Sequence, residues 1–344
     1  MAVFEDGINR LRRCEIVLQD TQVPSTQTDF TVLLTHACLP TEMLDADGGN
    51  AAQNGGGDIR FSTDAAGASQ IPIDVVTFTT DNDPLLARAE IYVKVPTLNG
   101  SSNTSIWTHY KPASTASQPA HTHAYGQDNA YDGNHQAFWP LHEDPSETAP
   151  QMKDRTVNVR HGTSNGTMTT GDSVAGQVGN CLDFDGTDDW INTSDFLDSV
   201  TVETVVMWGK RAATNKSVVV GKGRADLNAA NGIEHYTDGN VYFAVATASG
   251  TYGYAAANDT AWRHYAMVYD GGATGNANRL KGYFNAVAQT LTFAGTIPAT
   301  GPNIGAWEIG RDLGQSPDLY DNGLIDHVSV HNTNRSADWI TTNY

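Results

Sequence analysis

The chain has 344 residues, enough for two domains, and its 39% hydrophobic and 17% charged residues are typical of a folded globular protein. Its 20 basic against 39 acidic residues give a net charge of −19. That charge argues against a nucleic-acid partner, because such proteins need cations to displace counterions from phosphate.

Strand-forming patterns follow one another along the whole chain, each bounded by Gly, Asn, Asp or Pro. They lie at 14–18, 30–34, 71–77, 89–95, 200–208, 217–220, 241–247, 264–269 and 324–330. Helical periodicity is confined to 5–13 and 335–341, for about two turns each. The sequence therefore predicts an all-β protein built of sandwiches or barrels.

Two domains are expected on either side of a small, polar segment, KPASTASQPA, that begins at Lys111. The predicted organisation is an N-terminal arm at 1–20, a β-domain at 21–110, a linker at 111–133 and a second domain at 134–344. Three arginines, Arg10, Arg12 and Arg13, stand in the arm of an otherwise acidic chain. They suggest docking onto an acidic partner protein, and a packed terminal segment without special role is the alternative.

No apolar stretch is long enough for a membrane helix, so no membrane partner is expected. The first 13 residues contain no apolar core of a secretory signal. The three cysteines, Cys14, Cys38 and Cys181, form neither a disulfide framework nor a zinc motif. The sequence thus predicts synthesis in a cytoplasm.

The second domain carries five motifs in a specific order. They are CLDFDGTDDW from Cys181, VTVETVVMW from Val200, TAWRHYA from Thr260, WEIG from Trp307 and GLIDHVSVH from Gly323. In this order they resemble the concanavalin A-like, laminin-G-like jelly roll over about 134–344. The resemblance implies two stacked antiparallel sheets. Trp208, Trp262 and Trp307 are expected to fill the space between them, and stacking on a sugar is the alternative.

The first domain resembles, through NGGGDIRF from Asn54 and IYVKVP from Ile91, an uncharacterised bacterial β-domain that is often fused ahead of a laminin-G-like domain. The resemblance implies a sandwich or barrel-like fold. It adds little about chemistry.

Catalysis is not expected. Glucanases of the resembled superfamily place two carboxylates on one face of a strand, but no Glu-x-Asp-x-Glu or Glu-x-Asp-x-x-Glu stretch occurs here. These patterns predict a non-enzymatic protein.

Calcium is the candidate cofactor, because hard cations take several oxygen ligands at turns. The resemblance implies Asp326, in the last strand motif, as the side chain most often used, and either Asp185 or backbone carbonyls near 138–144 would complete the shell. The alternative is that Asp326 hydrogen-bonds a turn and Asp185 is solvated.

Five of the eleven histidines lie between His109 and His142, where a solvated cluster is favoured and a metal bridging two subunits is the alternative.

Glycan binding needs exposed aromatic rings for stacking and polar groups for the hydroxyls. Four tyrosines in or near predicted loops have that character: Tyr236, Tyr252, Tyr254 and Tyr320. Tyrosine-rich loops also form protein interfaces, so both interpretations remain open.

Together these features predict a structural and interaction protein, namely a bacteriophage virion component such as a capsid decoration, fibre or tail-appendage subunit. Its lectin-like domain would face outward, toward a host surface glycan. The expected partners are other virion proteins and further copies of the chain, and the expected location is the virion. The alternative is a carbohydrate-binding adhesion module of a bacterial surface or secreted system.

Overall fold

The computed structural model describes residues 2–215, 217–224, 229–312 and 319–344. Two compact units make up the chain. Unit 1 comprises Met1–Gly133, Arg155–Val157 and residue 343, and unit 2 comprises Asn134–Asp154, Asn158–Thr342 and residue 344. None of the helices in the described part of the chain has the length and apolarity that crossing a membrane requires.

Unit 1 is built of strands and one short helix. The elements are β1 (Ala2–Val3), β2 (Asn9–Leu18), β3 (Gln27–Thr35), α1 (Thr41–Leu44), β4 (Arg60–Ser62), β5 (Gln70–Ile71), β6 (Ile73–Thr79), β7 (Arg88–Leu98) and β8 (Thr104–Pro112). Five strands form one antiparallel sheet in the order β1-β2-β8-β4-β5, and three form a second in the order β3-β7-β6. Both sheets bury apolar side chains, among them Phe61, Ile91 and Ile106.

The segment expected as an N-terminal arm contributes an inner strand of the five-stranded sheet. Strand β2 pairs with β8 from Arg10↔Pro112 to Leu18↔Thr104. The two helical turns expected at 5–13 are therefore wrong. Arg10 is buried and Leu11 is 44% exposed, so the burial follows a strand pairing and no helical face forms.

Residues 111–133, expected as a linker, are tied into unit 1 by hydrogen bonds. The Lys111 backbone N–H donates to Asp58 at 2.8 Å, and the Ala116 N–H donates to the Gln53 side chain at 2.8 Å. The Tyr131 hydroxyl donates to Asp74 at 2.8 Å. A flexible spacer would lack such contacts.

Unit 2 contains the remaining elements. They are β9 (His135–Trp139), β10 (Thr163–Asn165), β11 (Ser173–Ala175), β12 (Asn180–Asp185), β13 (Trp190–Asn192), β14 (Val202–Arg211), β15 (Val218–Arg224), β16 (Ala229–His235), β17 (Asn240–Ala246), β18 (Tyr252–Ala256), β19 (Arg263–Asp270), α2 (Asn276–Arg279), β20 (Leu280–Phe284), β21 (Val287–Ala288), β22 (Thr292–Ala294), β23 (Trp307–Ile309), β24 (Arg311–Asp312), β25 (Leu319–Tyr320), β26 (Asn322–His331) and α3 (Ala337–Asn343). The helix expected at 335–341 is α3.

Two large antiparallel sheets form unit 2. The first has the order β10-β13-β23-β15-β16-β17-β18-β22. We call it the groove sheet, because a groove crosses its outer face. The second has the order β11-β12-β26-β14-β19-β20-β21, with β9 also paired to β26. One apolar core contains side chains from both sheets, such as Phe243 and Ile309 from the groove sheet and Met267 and Ile325 from the other. The predicted all-β architecture is confirmed.

The tryptophans expected between the sheets lie there only in part. Trp307 is fully buried in the core, and Trp139 of β9 is its counterpart. Trp208 is half-buried and stacks on Tyr344, with ring centroids 5.6 Å apart. Because side chains alternate along a strand and Met207 points into the core, Trp208 has to face outward. Trp262 precedes its strand and is also half-buried, so the expectation was wrong for these two.

Candidate functional site: a groove across the outer face of a sheet

A groove crosses the face of the groove sheet that points away from the core. In β17, Val241, Phe243 and Val245 enter the core. Because alternate side chains face opposite sides of a sheet, Tyr242 and Ala244 lie on the other face. Both line a groove with a cavity volume of about 360 Å³. The alternation that builds the core thus also selects the groove residues.

The floor of the groove is made of residues with almost no side chain. Gly221 of β15 pairs with Gly232 of β16, which pairs with Ala244 of β17. Gly232 has a φ of +145°, and a Cβ at that position would lie 2.3 Å from the carbonyl oxygen of Val220. The close approach of β15 and β16 therefore requires glycine, and the same lack of side chains leaves the groove open.

Three tyrosines line one side of the groove, Tyr236, Tyr242 and Tyr252, and Tyr254 packs against two of them. We call these four residues the tyrosine cluster. Tyr242 is the centre of the cluster. Its ring centroid lies 5.0 Å from that of Tyr252 in an edge-on arrangement, 5.5 Å from that of Tyr254 in a stacked one, and 6.0 Å from that of Tyr236. The four rings are half-buried and hold one another in fixed orientations.

Three of these tyrosines were predicted as binding residues, and the structure brings them together. Sequence reasoning missed the central one, Tyr242, because it lies inside a predicted strand rather than in a loop. Its position between the inward Val241 and Phe243 could have revealed it. Tyr320 pairs with Arg311 between β24 and β25, so it lies behind the charged end of the groove and is not one of the described residues that line it.

The Tyr242 hydroxyl is anchored. It donates to the carboxylate of Asp238 at 2.8 Å. Burial and this hydrogen bond raise the pKa of Tyr242 above its ordinary value, so the phenol stays protonated. The ring therefore presents a neutral, fixed surface.

The opposite end of the groove is charged. Glu308 of β23 pairs with Gly221, so it flanks the floor, and its two oxygens accept hydrogen bonds from Arg311 at 2.8 and 3.1 Å. The Arg311 guanidinium also lies 3.3 Å from the centre of the Trp190 ring. Burial alone would lower the pKa of Arg311, but its hydrogen bonds to Glu308 and Tyr320 raise it. A planar ion pair is thereby held against an aromatic ring beside the floor.

The two expected calcium ligands lie apart. Strand β12 pairs with β26 so that Asp185 faces Asn322 and Leu182 faces Ile325, which places Asp185 and Asp326 about four strand positions, or roughly 13 Å, from each other. Asp326 is fully buried, and its carboxylate accepts from the Val178 N–H at 2.9 Å and contacts His327 Nδ1 at 2.5 Å. Asp185 and Asp326 are too far apart to bind one ion. Asp326 instead stabilises the turn that contains Val178 by accepting its hydrogen bond.

Asp185 belongs to a different group of carboxylates. Asp185, Asp188 and Asp189 each offer an oxygen, and these oxygens lie within 4.8 Å of one another. Asp189 is 2% exposed, and burial together with the charge of Asp185 raises its pKa to about 6. Of the described residues, these three are the only His, Cys, Asp or Glu side chains grouped closely enough to hold a metal ion.

The predicted histidine cluster does not form a single group. His109, in unit 1, is buried and hydrogen-bonds Ser62 at 2.8 Å, and burial lowers its pKa to about 4. His121 is exposed, whereas His135, in unit 2, packs against His331 with centroids 4.3 Å apart. Members of the sequence cluster thus belong to two compact units and have different roles.

Comparison with known proteins identifies the fold of unit 2. Residues 185–341 match the laminin-G-type family model described as the concanavalin A-like lectin/glucanases superfamily. No curated protein matches the chain.

Solved structures resemble the chain at low identity. Domain 4 of an extracellular arabinanase from Geobacillus stearothermophilus, in complex with arabinotriose, is 20% identical, with a TM-score of 0.42 over 60% of this chain and 97% of that one. A botulinum neurotoxin type C structure is 9% identical, with a TM-score of 0.43 over 61% of this chain, which spans 51% of the toxin chain. A Trypanosoma rangeli sialidase with sialic acid is 10% identical, with a TM-score of 0.42 over 78% and 43% of the two chains.

The two-sheet sandwich and the family match agree with each other and with the motifs from Cys181 onward. The resemblance noted for the first domain stays a prediction. Residues 185–341 thus match the concanavalin A-like, laminin-G-like family model, and unit 2 has the two-sheet jelly-roll fold that this match implies.

Proposed function

We propose that unit 2 binds a glycan chain in the groove of the groove sheet. The observation that carries the proposal is the combination of a bare floor with three lining tyrosines that are held in place by packing within the tyrosine cluster. The faces of sugar rings carry C–H groups that pack on aromatic rings, while their hydroxyls need polar partners. The tyrosine cluster supplies the first, and the charged pair of Glu308 and Arg311 supplies the second.

The dimensions of the groove favour an oligosaccharide over a single sugar. From Glu308 the pairing runs through Gly221 and Gly232 to Ala244, and Tyr252 stands on the next strand. These are four strand spacings, or about 19 Å along the sheet. An extended chain of a few sugar residues would lie over the glycine floor, with its ends at the tyrosine cluster and at Glu308.

Removing the central tyrosine should abolish most of the binding. In Tyr242→Ala, three neighbouring rings lose their packing partner, and we expect glycan affinity to fall at least tenfold, which corresponds to about 1.4 kcal/mol. Titration calorimetry with the best ligand from a glycan array measures the loss. The control is Tyr344→Ala, an exposed tyrosine of the same unit outside the groove, which should bind like the wild type.

Filling the floor should have the same effect without removing an aromatic ring. Ala244 is half-buried and points outward, so Ala244→Trp places a large side chain in the groove and leaves the core unchanged. We expect an unchanged melting temperature and loss of glycan binding. A wild-type protein that folds but binds no glycan on a broad array would overturn the proposal and favour a protein ligand for the tyrosines.

We propose binding without hydrolysis. Among the described residues that line the groove, Glu234 and Glu308 carry carboxylates, and Arg311 engages both oxygens of Glu308. A carboxylate held in this way is poorly suited to accept or deliver a proton. Release of new reducing ends from a bound polysaccharide would contradict this part of the proposal.

The setting that we propose is a bacteriophage virion, in which this chain is a structural subunit that displays the lectin-like unit. The presence of a second, separate β-unit supports a subunit with one anchoring and one displayed part. Mass spectrometry of purified particles tests this role. Finding the chain on bacterial surfaces and absent from particles would favour the adhesion module.

A further inference from the structure

The turn between β12 and β13 gathers negative charge in a small volume. Asp185, Asp188 and Asp189 place one oxygen each within 4.8 Å of the others. Calcium lies about 2.4 Å from its oxygen ligands, so two ligands of one ion are at most about 4.8 Å apart. The three carboxylates therefore fit around a single calcium ion.

One oxygen in the turn has no other role in the structure. Asp189 is 2% exposed, and its Oδ1 atom is buried without a hydrogen-bond partner, although its Oδ2 accepts from the Asp185 N–H at 3.3 Å. A buried carboxylate oxygen without a partner destabilises a protein. The unpartnered oxygen belongs to a carboxylate that lies beside two others.

The turn is fixed in the shape that gathers these groups. Gly186 has a φ of +81°, a conformation that favours glycine. The Asp185 side chain accepts from the Thr187 N–H at 2.7 Å, and Asp188 accepts from the Thr167 N–H and hydroxyl at 3.3 and 3.2 Å. Two carboxylates thus use one oxygen each to order the loop, and their remaining oxygens are available to an ion.

We propose that this turn is a calcium site whose ligands are Asp185, Asp188 and Asp189. Only oxygen ligands are present, which favours a hard cation over zinc or copper. Three carboxylates supply part of the six to eight oxygens that calcium takes, and water completes the shell on the side of the exposed Asp185. The ligand set differs from the pair of Asp326 and Asp185 expected from the sequence.

An ion at this position would join the two sheets of unit 2. Strand β12 belongs to the sheet with β26, whereas β13 belongs to the groove sheet, so the turn is the crossing from one layer to the other. Trp190, which packs against Arg311, follows directly after Asp189. The site is independent of the proposed glycan function, because neither its ligands nor its test requires the groove to be occupied.

The test compares the full-length wild-type chain with Asp189→Asn in EDTA and in millimolar calcium chloride. Calcium should raise the melting temperature of the wild type by several degrees, because the ion binds only the folded state. In Asp189→Asn the rise should vanish, and calorimetry should show a calcium Kd at least tenfold weaker. In EDTA the variant should melt no lower than the wild type, because the substitution removes a buried negative charge that is repelled by the charges of Asp185 and Asp188.

Two further measurements keep the test sharp. Terbium, a luminescent substitute for calcium, should show emission sensitised by Trp190, and Trp190→Phe should reduce that emission while calcium binding persists. Asp144→Asn, a carboxylate of the same unit outside the group, is the control and should respond to calcium like the wild type. An equal calcium response in wild type and Asp189→Asn, or none in the wild type, would overturn the proposal.

Discussion

Glu203→Gln should make unit 2 more stable in alkaline solution and remove a pH dependence that the wild type shows between about pH 4.5 and 8. Glu203 lies on β14 and is fully buried in the sandwich. Its Oε2 accepts from the Asn231 side chain at 2.7 Å, while its Oε1 has no hydrogen-bond partner. Burial raises the pKa of Glu203 to about 8, against the lowering effects of Asn231 and Lys222.

The direction of the pH effect follows from proton binding. In the unfolded chain the carboxyl releases its proton near its ordinary pKa of 4.5, whereas the folded protein keeps the proton up to about pH 8. The stabilisation is therefore complete below pH 4.5 and is lost as the pH rises to 8, at up to about 1.4 kcal/mol per pH unit. The neutral amide introduced by Glu203→Gln has no such loss.

The amide should also fit the site. The Oδ1 atom of Asn231 is buried and has no hydrogen-bond partner, so the new amide N–H of the variant can donate to it while accepting from the Asn231 amide. We expect the free energies of unfolding to be similar at pH 4 and the variant to exceed the wild type by on the order of 4 kcal/mol at pH 9. Urea unfolding, followed through the fluorescence of the buried Trp139 and Trp307, measures the difference.

Glu147→Gln is the matched control, because Glu147 is exposed in the same unit. It should reproduce the wild-type pH profile. Parallel pH profiles of Glu203→Gln and the wild type between pH 4.5 and 8 would mean that Glu203 is ionised in the folded state, contrary to this prediction.

Local patterns in the sequence were enough to predict most of the longer strands of this protein, but not the short ones. The runs at 241–247 and 264–269 alternate or are β-branched, and they became β17 and β19, because period-two burial is a property of a single strand. The sequence predicted less reliably which face of its sheet each side chain occupies. Trp208 was assigned to the core on its size, yet one step of alternation from Met207 places it outside. Aromatic bulk is a weaker guide than register.

The groove could be predicted only in part. Tyr236, Tyr252 and Tyr254 are close in sequence, and hairpin pairing of neighbouring strands brings them together. The floor and the charged end depend instead on β23 pairing with β15, two strands far apart in the chain. No local pattern encodes that pairing, so Glu308 seemed isolated in the sequence. The same holds for Asp185 and Asp326, whose separation is set by the register between β12 and β26.

Asp6→Ala should destabilise unit 1 by about 3 kcal/mol, because it removes a carboxylate shared by two buried guanidinium groups. Arg10 is 2% exposed and Arg60 is fully buried. Asp6 accepts from Arg10 at 2.9 and 2.8 Å and from Arg60 at 3.2 Å, and Glu5 accepts from Arg60 at 2.7 Å. Without Asp6, Arg60 keeps Glu5, whereas the buried Arg10 keeps only its backbone carbonyl partners.

The pH dependence of this network has the opposite sign to that of Glu203. Burial alone would raise the pKa of Asp6, but hydrogen bonds from Arg10 and from the Ile8 N–H and the charges of both arginines lower it below 3.8. The stabilisation is therefore present above about pH 4 and is lost as the pH falls further. Asp6→Asn keeps an acceptor oxygen and should lie between the wild type and Asp6→Ala.

Hydrogen exchange measured by mass spectrometry localises the effect of Asp6→Ala. Faster exchange should appear in β2 and β8, which lie side by side in the sheet of unit 1, while peptides of unit 2 exchange as in the wild type. Asp47→Ala, an exposed aspartate of unit 1, is the control. An equally small change in both variants would show that Asp6 does not stabilise the buried arginines. The expected loss instead assigns Arg10 to the fold and leaves the exposed Arg12 and Arg13 as the basic residues of this segment that a partner can reach.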